Sequence, residues 1–137
     1  MKINKLNSKG FTIVELLIVI VIIGILATIG FVSFSSAQNK AKKSKAQATV
    51  SQVKSKLGEY YADNNKYPAD KTAVATYLTA NGGATTATEF NGTTDYTYAA
   101  SPTGCDNTTT DCTSFTLTAN KAIWRGSTTD TDISVTP

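Results

Sequence analysis

Lys9-Gly10-Phe11-Thr12-Ile13-Val14-Glu15-Leu16 opens an apolar run that continues to Phe34. From Phe11 to Phe34 there are 24 residues and one ionisable side chain, Glu15. At about 1.5 Å per residue, a helix of that length reaches roughly 36 Å, enough to cross a hydrocarbon core about 30 Å thick. A plain signal anchor or a secretory signal peptide is the bland reading. A secretory peptide, however, is cut after its apolar region, at a small-residue site. Here the run passes without a break into a further helical pattern, and the conspicuous small residue, Gly10, lies before it. A carboxylate in an apolar segment costs about a few kcal/mol at mid-bilayer and less near an end, so such a residue usually has a partner.

These residues resemble the N-terminus of the type IV pilins and their pseudopilin relatives. The resemblance is carried by the short Lys-rich leader, Gly10, Phe11, Glu15 and the following Leu16-Leu17-Ile18-Val19-Ile20-Val21-Ile22-Ile23-Gly24-Ile25-Leu26-Ala27. It implies a cleaved leader, residues 1–10, removed by a prepilin peptidase that cuts between Gly10 and Phe11. It also implies N-methylation of the new Phe11 amine and a filament with these helices at its centre. The implied partners are further copies of the chain, the membrane before assembly, the pilus assembly machinery and minor pilins. The implied location is the cytoplasmic membrane for the precursor and an extracellular pilus on the cell surface afterwards. The family places a carboxylate where Glu15 stands, which makes Phe11 and Glu15 the expected assembly pair. The freed amine is mostly cationic at neutral pH, and in a dry filament core an amine and a carboxylate lower each other's burial cost. The pair would set the register between neighbouring subunits.

Composition agrees with one small domain plus a membrane segment. Lys and Arg total 13, Asp and Glu total 10, and the formal charge is +3. Residues 1–79 hold 11 basic and 4 acidic side chains, whereas residues 80–137 hold 2 basic and 6 acidic. The basic excess therefore belongs to the leader and the long helix. Lys2, Lys5 and Lys9 favour a cytoplasmic N-terminus, but Lys40, Lys42, Lys43 and Lys45 follow the apolar run and make the positive-inside signal ambiguous. The chain has no His and no zinc spacing or phosphate-binding glycine loop, and nothing converges Asp63 and Asp70 into an acid-base pair. No catalytic residue, metal site or cofactor is expected, the protein does not read as an enzyme, and nucleic acid is not indicated.

Beyond Phe34 the pattern is amphipathic. Ala46, Val50, Val53, Leu57 and Tyr60 fall at steps of four, three, four and three, one stripe on a helix. With no Pro before Pro68, one helix from about Thr12 to about Tyr61 is expected. Asp63-Asn64-Asn65-Lys66-Tyr67-Pro68 ends it, and Asp70 caps a second helix over Lys71–Ala80. Asn81-Gly82-Gly83 stops that helix, and Ala84–Thr94 reads as loop. The period then becomes two. Asp95–Ala100, Ser114–Ala119 and Lys121–Arg125 are expected as strands, the last two joined at Asn120 as a tight hairpin. Gly126–Pro137 reads as a partly ordered tail. The fold class is α+β: a long helix, with a transmembrane half and an amphipathic half, packed against a small antiparallel sheet. The expected organisation is leader 1–10, transmembrane and assembly helix 11–34, and globular head 35–137, which includes the second half of the long helix.

Cys105 and Cys112 can be two free thiols, a redox pair or a structural disulfide. The extracytoplasmic destination implied by the resemblance makes the disulfide the expectation. Asp130 and Asp132 resemble, weakly, the acidic C-terminal loop of calcium-binding major pseudopilins, and two carboxylates are a thin start for an ion that takes six to eight oxygens. Asn91-Gly92-Thr93 and Asn107-Thr108-Thr109 fit a glycosylation sequon, a match that arises readily in a chain so rich in Thr. The reading is a type IV pilin, a structural subunit for a pilus that supports adhesion, motility or DNA uptake. The alternative is the major pseudopilin of a type II secretion system or competence pseudopilus. A third possibility is a single-pass membrane protein whose ectodomain binds a ligand.

Overall fold

A computed structural model describes residues 10–92, 94–124 and 130–137. The leader Lys2, Lys5 and Lys9, Thr93 of the first sequon, and Arg125 with 126–129 of the expected tail lie outside the described residues. The described elements are the helices α1 (Ile13–Asn64), α2 (Lys71–Ala80) and α3 (Ala84–Asn91), and the strands β1 (Tyr96–Ser101), β2 (Ser114–Ala119) and β3 (Ile133–Val135). The chain divides into two compact units between Ala37 and Gln38.

The first unit is apolar helix. From Phe11 to Phe34 the side chains are exposed, Val32 aside, and Phe11 is 83% exposed. Among the described residues one helix, α1, is long and apolar enough to cross a membrane. The Thr28 hydroxyl donates to the Gly24 carbonyl at 2.9 Å, so this polar side chain is satisfied within its own helix.

The second unit is α+β, as expected. Ala46, Val50, Val53 and Leu57 are buried and join one core with Leu78, Phe90, Phe115, Leu117 and Trp124. The amphipathic stripe thus finds its cover in the sheet and the short helices. Tyr60, the last of the stripe, is half-buried and meets Tyr77 edge-on, with ring centroids 5.0 Å apart. α1 runs past the expected end at Tyr61 to Asn64. Asn65 then adopts φ 55° and donates to the Tyr61 carbonyl at 2.7 Å, a left-handed C-terminal cap. α2 covers the expected residues, with the Asp70 carboxylate accepting from Ala73 N at 2.8 Å.

Three stretches fold differently from the expectation. Ala84–Thr94 was expected as loop, yet Ala84–Asn91 is helix α3, because Ala87 and Phe90 share a face and are buried. Burial of an aromatic outweighs the poor helix propensity of Thr and the absence of a side-chain cap. Lys121–Arg125 was expected as a strand, yet Lys121–Trp124 is a 3-10 turn. Asn120 causes it: its side chain accepts from Ala122 N and its carbonyl from Ile123 N, and the turn carries Trp124 into the core. The third strand is instead β3, in the stretch read as tail. The sheet order is β1-β2-β3, antiparallel throughout, with Leu117 opposite Tyr98 and Val135.

The sheet face carries aromatic contacts. Tyr67 meets Phe115 edge-on at 4.9 Å between centroids, and Tyr98 stacks on Phe115 at 5.8 Å. Tyr98 donates its hydroxyl proton to the Pro68 carbonyl at 2.7 Å, and Tyr96 donates to Glu89 at 3.1 Å. Burial pushes the Tyr96 hydroxyl up to about 12, and the Glu89 charge adds to that shift. Burial also pushes Tyr98 well above the usual range. A raised pKa means that the folded state favours the neutral phenol. This stability is complete below the ordinary tyrosine value near 10 and is lost as pH rises from about 10 through 12. Denaturant unfolding across pH 9–12 should therefore show falling stability, and Tyr96→Phe should lower the slope by at most about one proton. A slope unchanged in Tyr96→Phe would mean that Tyr96 titrates normally in the fold.

Candidate functional site

The start of α1 is a reciprocal cap. The Thr12 backbone N–H donates to Glu15 Oε2 at 2.9 Å, and the Thr12 hydroxyl donates to the same oxygen at 2.8 Å. In return, Glu15 N donates to the Thr12 hydroxyl oxygen at 3.2 Å, and Leu16 N reaches the Thr12 carbonyl. This is a Thr-x-x-Glu capping box, which satisfies two of the orphan donors at a helix start. A carboxylate in the first turn also lies where the helix dipole favours negative charge. Among the described residues, no donor reaches the other carboxylate oxygen, Oε1. Gly10 and Phe11 precede the helix and are exposed, and Gly10 has open space on the side where a side chain would stand. Thr12 is the residue that sequence reasoning missed. The Thr12-Ile13-Val14-Glu15 spacing carried the signal.

Cys105 and Cys112 are disulfide-bonded, with Cα atoms 5.3 Å apart. Both cysteines are buried, while the six residues between them are polar. Asp106 Oδ1 accepts from the backbone N–H groups of Thr108, Thr109 and Thr110, which hold its carboxyl well below the usual carboxylate range. The loop is docked on the segment after α1. Tyr67 N donates to the Cys112 carbonyl, Asn107 Nδ2 donates to the Tyr67 carbonyl, and Lys66 Nζ reaches both the Asn107 carbonyl and Asp111. The side-chain nitrogen of the second sequon is thus engaged inside the fold. Asn107 is also strained, at φ 60°.

The carboxylates singled out in the sequence have ordinary surroundings. Asp70 is the α2 cap, and Asp63 is exposed in the last turn of α1. Asp130 Oδ1 lies 2.7 Å from Lys43 Nζ, and Asp132 Oδ1 accepts from Lys121 N at 2.8 Å. A lysine ammonium beside one carboxylate and a backbone donor on the other oppose a divalent cation. The pair does not fit calcium, which needs six to eight oxygens.

Two family models match. Residues 5–31 fit the prokaryotic N-terminal methylation motif. Residues 33–105, just over half of the chain, fit type II secretion system (T2SS), protein G. The chain belongs to the type IV pilin and pseudopilin family. No curated protein and no solved structure matches it. A chain of this family with an N-terminal methylation motif and an exposed apolar helix is made as a membrane-anchored precursor. The family is structural, and membership implies filament assembly with a prepilin peptidase and a secretion or pilus machinery. In this pilin-family chain the disulfide closes a loop of eight residues, which the chain-entropy relation values at about 2.5 kcal/mol. Cys105→Ser with Cys112→Ser should lower unfolding free energy by roughly 2 kcal/mol in denaturant titration, and native protein should resist alkylation until reduced. Equal stability with and without the bridge would show that the docking hydrogen bonds alone order the loop.

Proposed function

We propose that the mature chain starts at Phe11 and polymerises through its apolar helix into a type IV pilus on the cell surface. Residues 1–10 are the leader, 11–34 the transmembrane and assembly helix, and 35–137 the globular head. A prepilin peptidase cuts between Gly10 and Phe11, and the Phe11 amine is methylated. The observation that carries this reading is Glu15. It is the single charge in 24 apolar residues, with Oε2 held by its own Thr12 and, among the described residues, no donor on Oε1. A cationic Phe11 amine from a neighbouring copy is the donor that the family geometry offers to Oε1. The disulfide-closed polar loop in the C-terminal half supports a surface filament. Adhesion, motility and DNA uptake then depend largely on motors and minor subunits that act with this filament.

The match of residues 33–105 to protein G favours a second reading, the major pseudopilin of a type II secretion system or a competence pseudopilus. Electron microscopy of cell surfaces separates the two. Long filaments containing this chain support the pilus, and a secretion defect without filaments in a deletion strain supports the pseudopilus.

Intact-mass spectrometry of assembled material should give a chain that begins at Phe11 and carries one methyl group. A chain that begins at Met1 would refute the processing step. Glu15→Ala should change the stability of the membrane-inserted monomer little, because loss of the capping box is offset by removal of an unfavourable intramembrane carboxylate. Assembly should fail, since a broken buried ion pair costs on the order of 3–5 kcal/mol, a factor of hundreds or more for each added subunit. Glu15→Asp should be intermediate. Filaments of normal number and length in Glu15→Ala cells, at equal expression, would remove Glu15 from the assembly contact.

A further inference from the structure

The C-terminal strand is short, and its anchorage stands out. β3 has three residues and pairs with β2 on one side only. Directly before it, Asp130 meets Lys43, a residue 87 positions earlier on α1. The Lys43 ammonium also lies 5.7 Å from the centroid of the Trp124 ring, and Trp124 is 1% exposed. The ion pair is partly shielded, with side-chain exposures of 39% for Lys43 and 26% for Asp130. One ammonium thus serves a carboxylate from the C-terminal segment and an aromatic face from the 3-10 turn, both attractive to a cation. Asp132 is tied separately, through its bond from Lys121 N, to the start of that same turn.

We propose that Lys43 is the built-in cation of this C-terminal segment. Its ammonium neutralises Asp130 and holds the approach to β3 onto α1, the task that a bound divalent ion would otherwise perform. The carboxylates available to such an ion are already committed, so the order of this segment is independent of calcium. It depends instead on the charge at position 43. A tethered ammonium also makes the anchorage intrinsic to the chain, whatever the ionic composition outside the cell. The Lys43 stem would account for packing against Trp124 in any variant that keeps the methylenes. Lys43→Met therefore isolates the charge from the packing.

Hydrogen exchange by mass spectrometry on the full-length protein in detergent micelles tests this, read on the peptide 130–137 with the β1 peptide as the internal standard for global folding. In the wild type, millimolar calcium chloride and chelator should give the same exchange. Lys43→Met and Asp130→Asn should each speed exchange of 130–137 by roughly three- to tenfold, as loss of a partly buried ion pair opens a local unit, with β1 unchanged. The swap Lys43→Asp with Asp130→Lys should fall closer to the wild type than either single change. Calcium-dependent protection of 130–137 in the wild type would overturn the proposal. So would wild-type exchange rates in both Lys43→Met and Asp130→Asn.

Discussion

A carboxylate inside an apolar helix has to find donors, and the first turn of α1 is built around that requirement. Glu15 stands at the third helical position, where the backbone N–H groups have no intrahelical acceptor and the dipole favours a negative charge. Thr12 supplies two donors to one oxygen, and Glu15 returns one donor to Thr12. The monomer therefore carries its charge at a reduced cost while still in the membrane. It does not use the charge up, because among the described residues no donor reaches Oε1. A carboxylate with one oxygen bonded inside its own helix keeps the other for a further donor. In the proposed filament, such a donor on a neighbouring subunit would select one register among the many that a smooth apolar helix would allow.

The second unit answers a different constraint. Residues 46–57 of α1 present one apolar stripe, and an amphipathic helix of that kind is stable only when covered. Three antiparallel strands, two short helices and a 3-10 turn provide the cover, with Phe90, Phe115 and Trp124 as the bulky contributors. The edges of this small assembly are then tied by polar contacts. The disulfide and the Asn107 side chain dock the loop before β2, Lys71 donates to the Tyr96 carbonyl, and Lys43 meets Asp130 before β3. A domain with so little core relies on such ties, since buried apolar area per residue is low in small folds.

The long helix, its buried stripe, α2 with its Asp70 cap, and the first two strands were legible because each follows a strict period or a strong stop signal. Steps of four and three from Ala46 to Leu57 permit only one helical face, and alternation through Phe115 and Leu117 permits only one sheet face. α3 was illegible because its Thr-rich composition argues for loop, and the deciding fact, complete burial of Phe90, is tertiary. The third strand was misplaced because Ile123 and Trp124 look like a strand by composition, while β3 is too short to show a period. At the start of α1, Glu15 stood out as the one charge in an apolar background, whereas Gly10 and Phe11 were singled out by the family resemblance. Thr12 was overlooked because its role is visible only when the capping-box spacing is read across the boundary of the apolar run. The Lys43–Asp130 pair spans 87 residues, and nothing local in the sequence joins them.

The central claim is that Glu15 Oε1 completes its bonding with the Phe11 amine of a neighbouring subunit. A cryo-EM reconstruction of native filaments, at a resolution that places side chains in the filament core, measures this directly. The account predicts a Glu15 carboxylate oxygen within about 4 Å of a neighbour's Phe11 nitrogen, the range of an ion pair. A core in which Glu15 remains bonded to its own Thr12 alone, with every neighbouring amine out of reach, would contradict it.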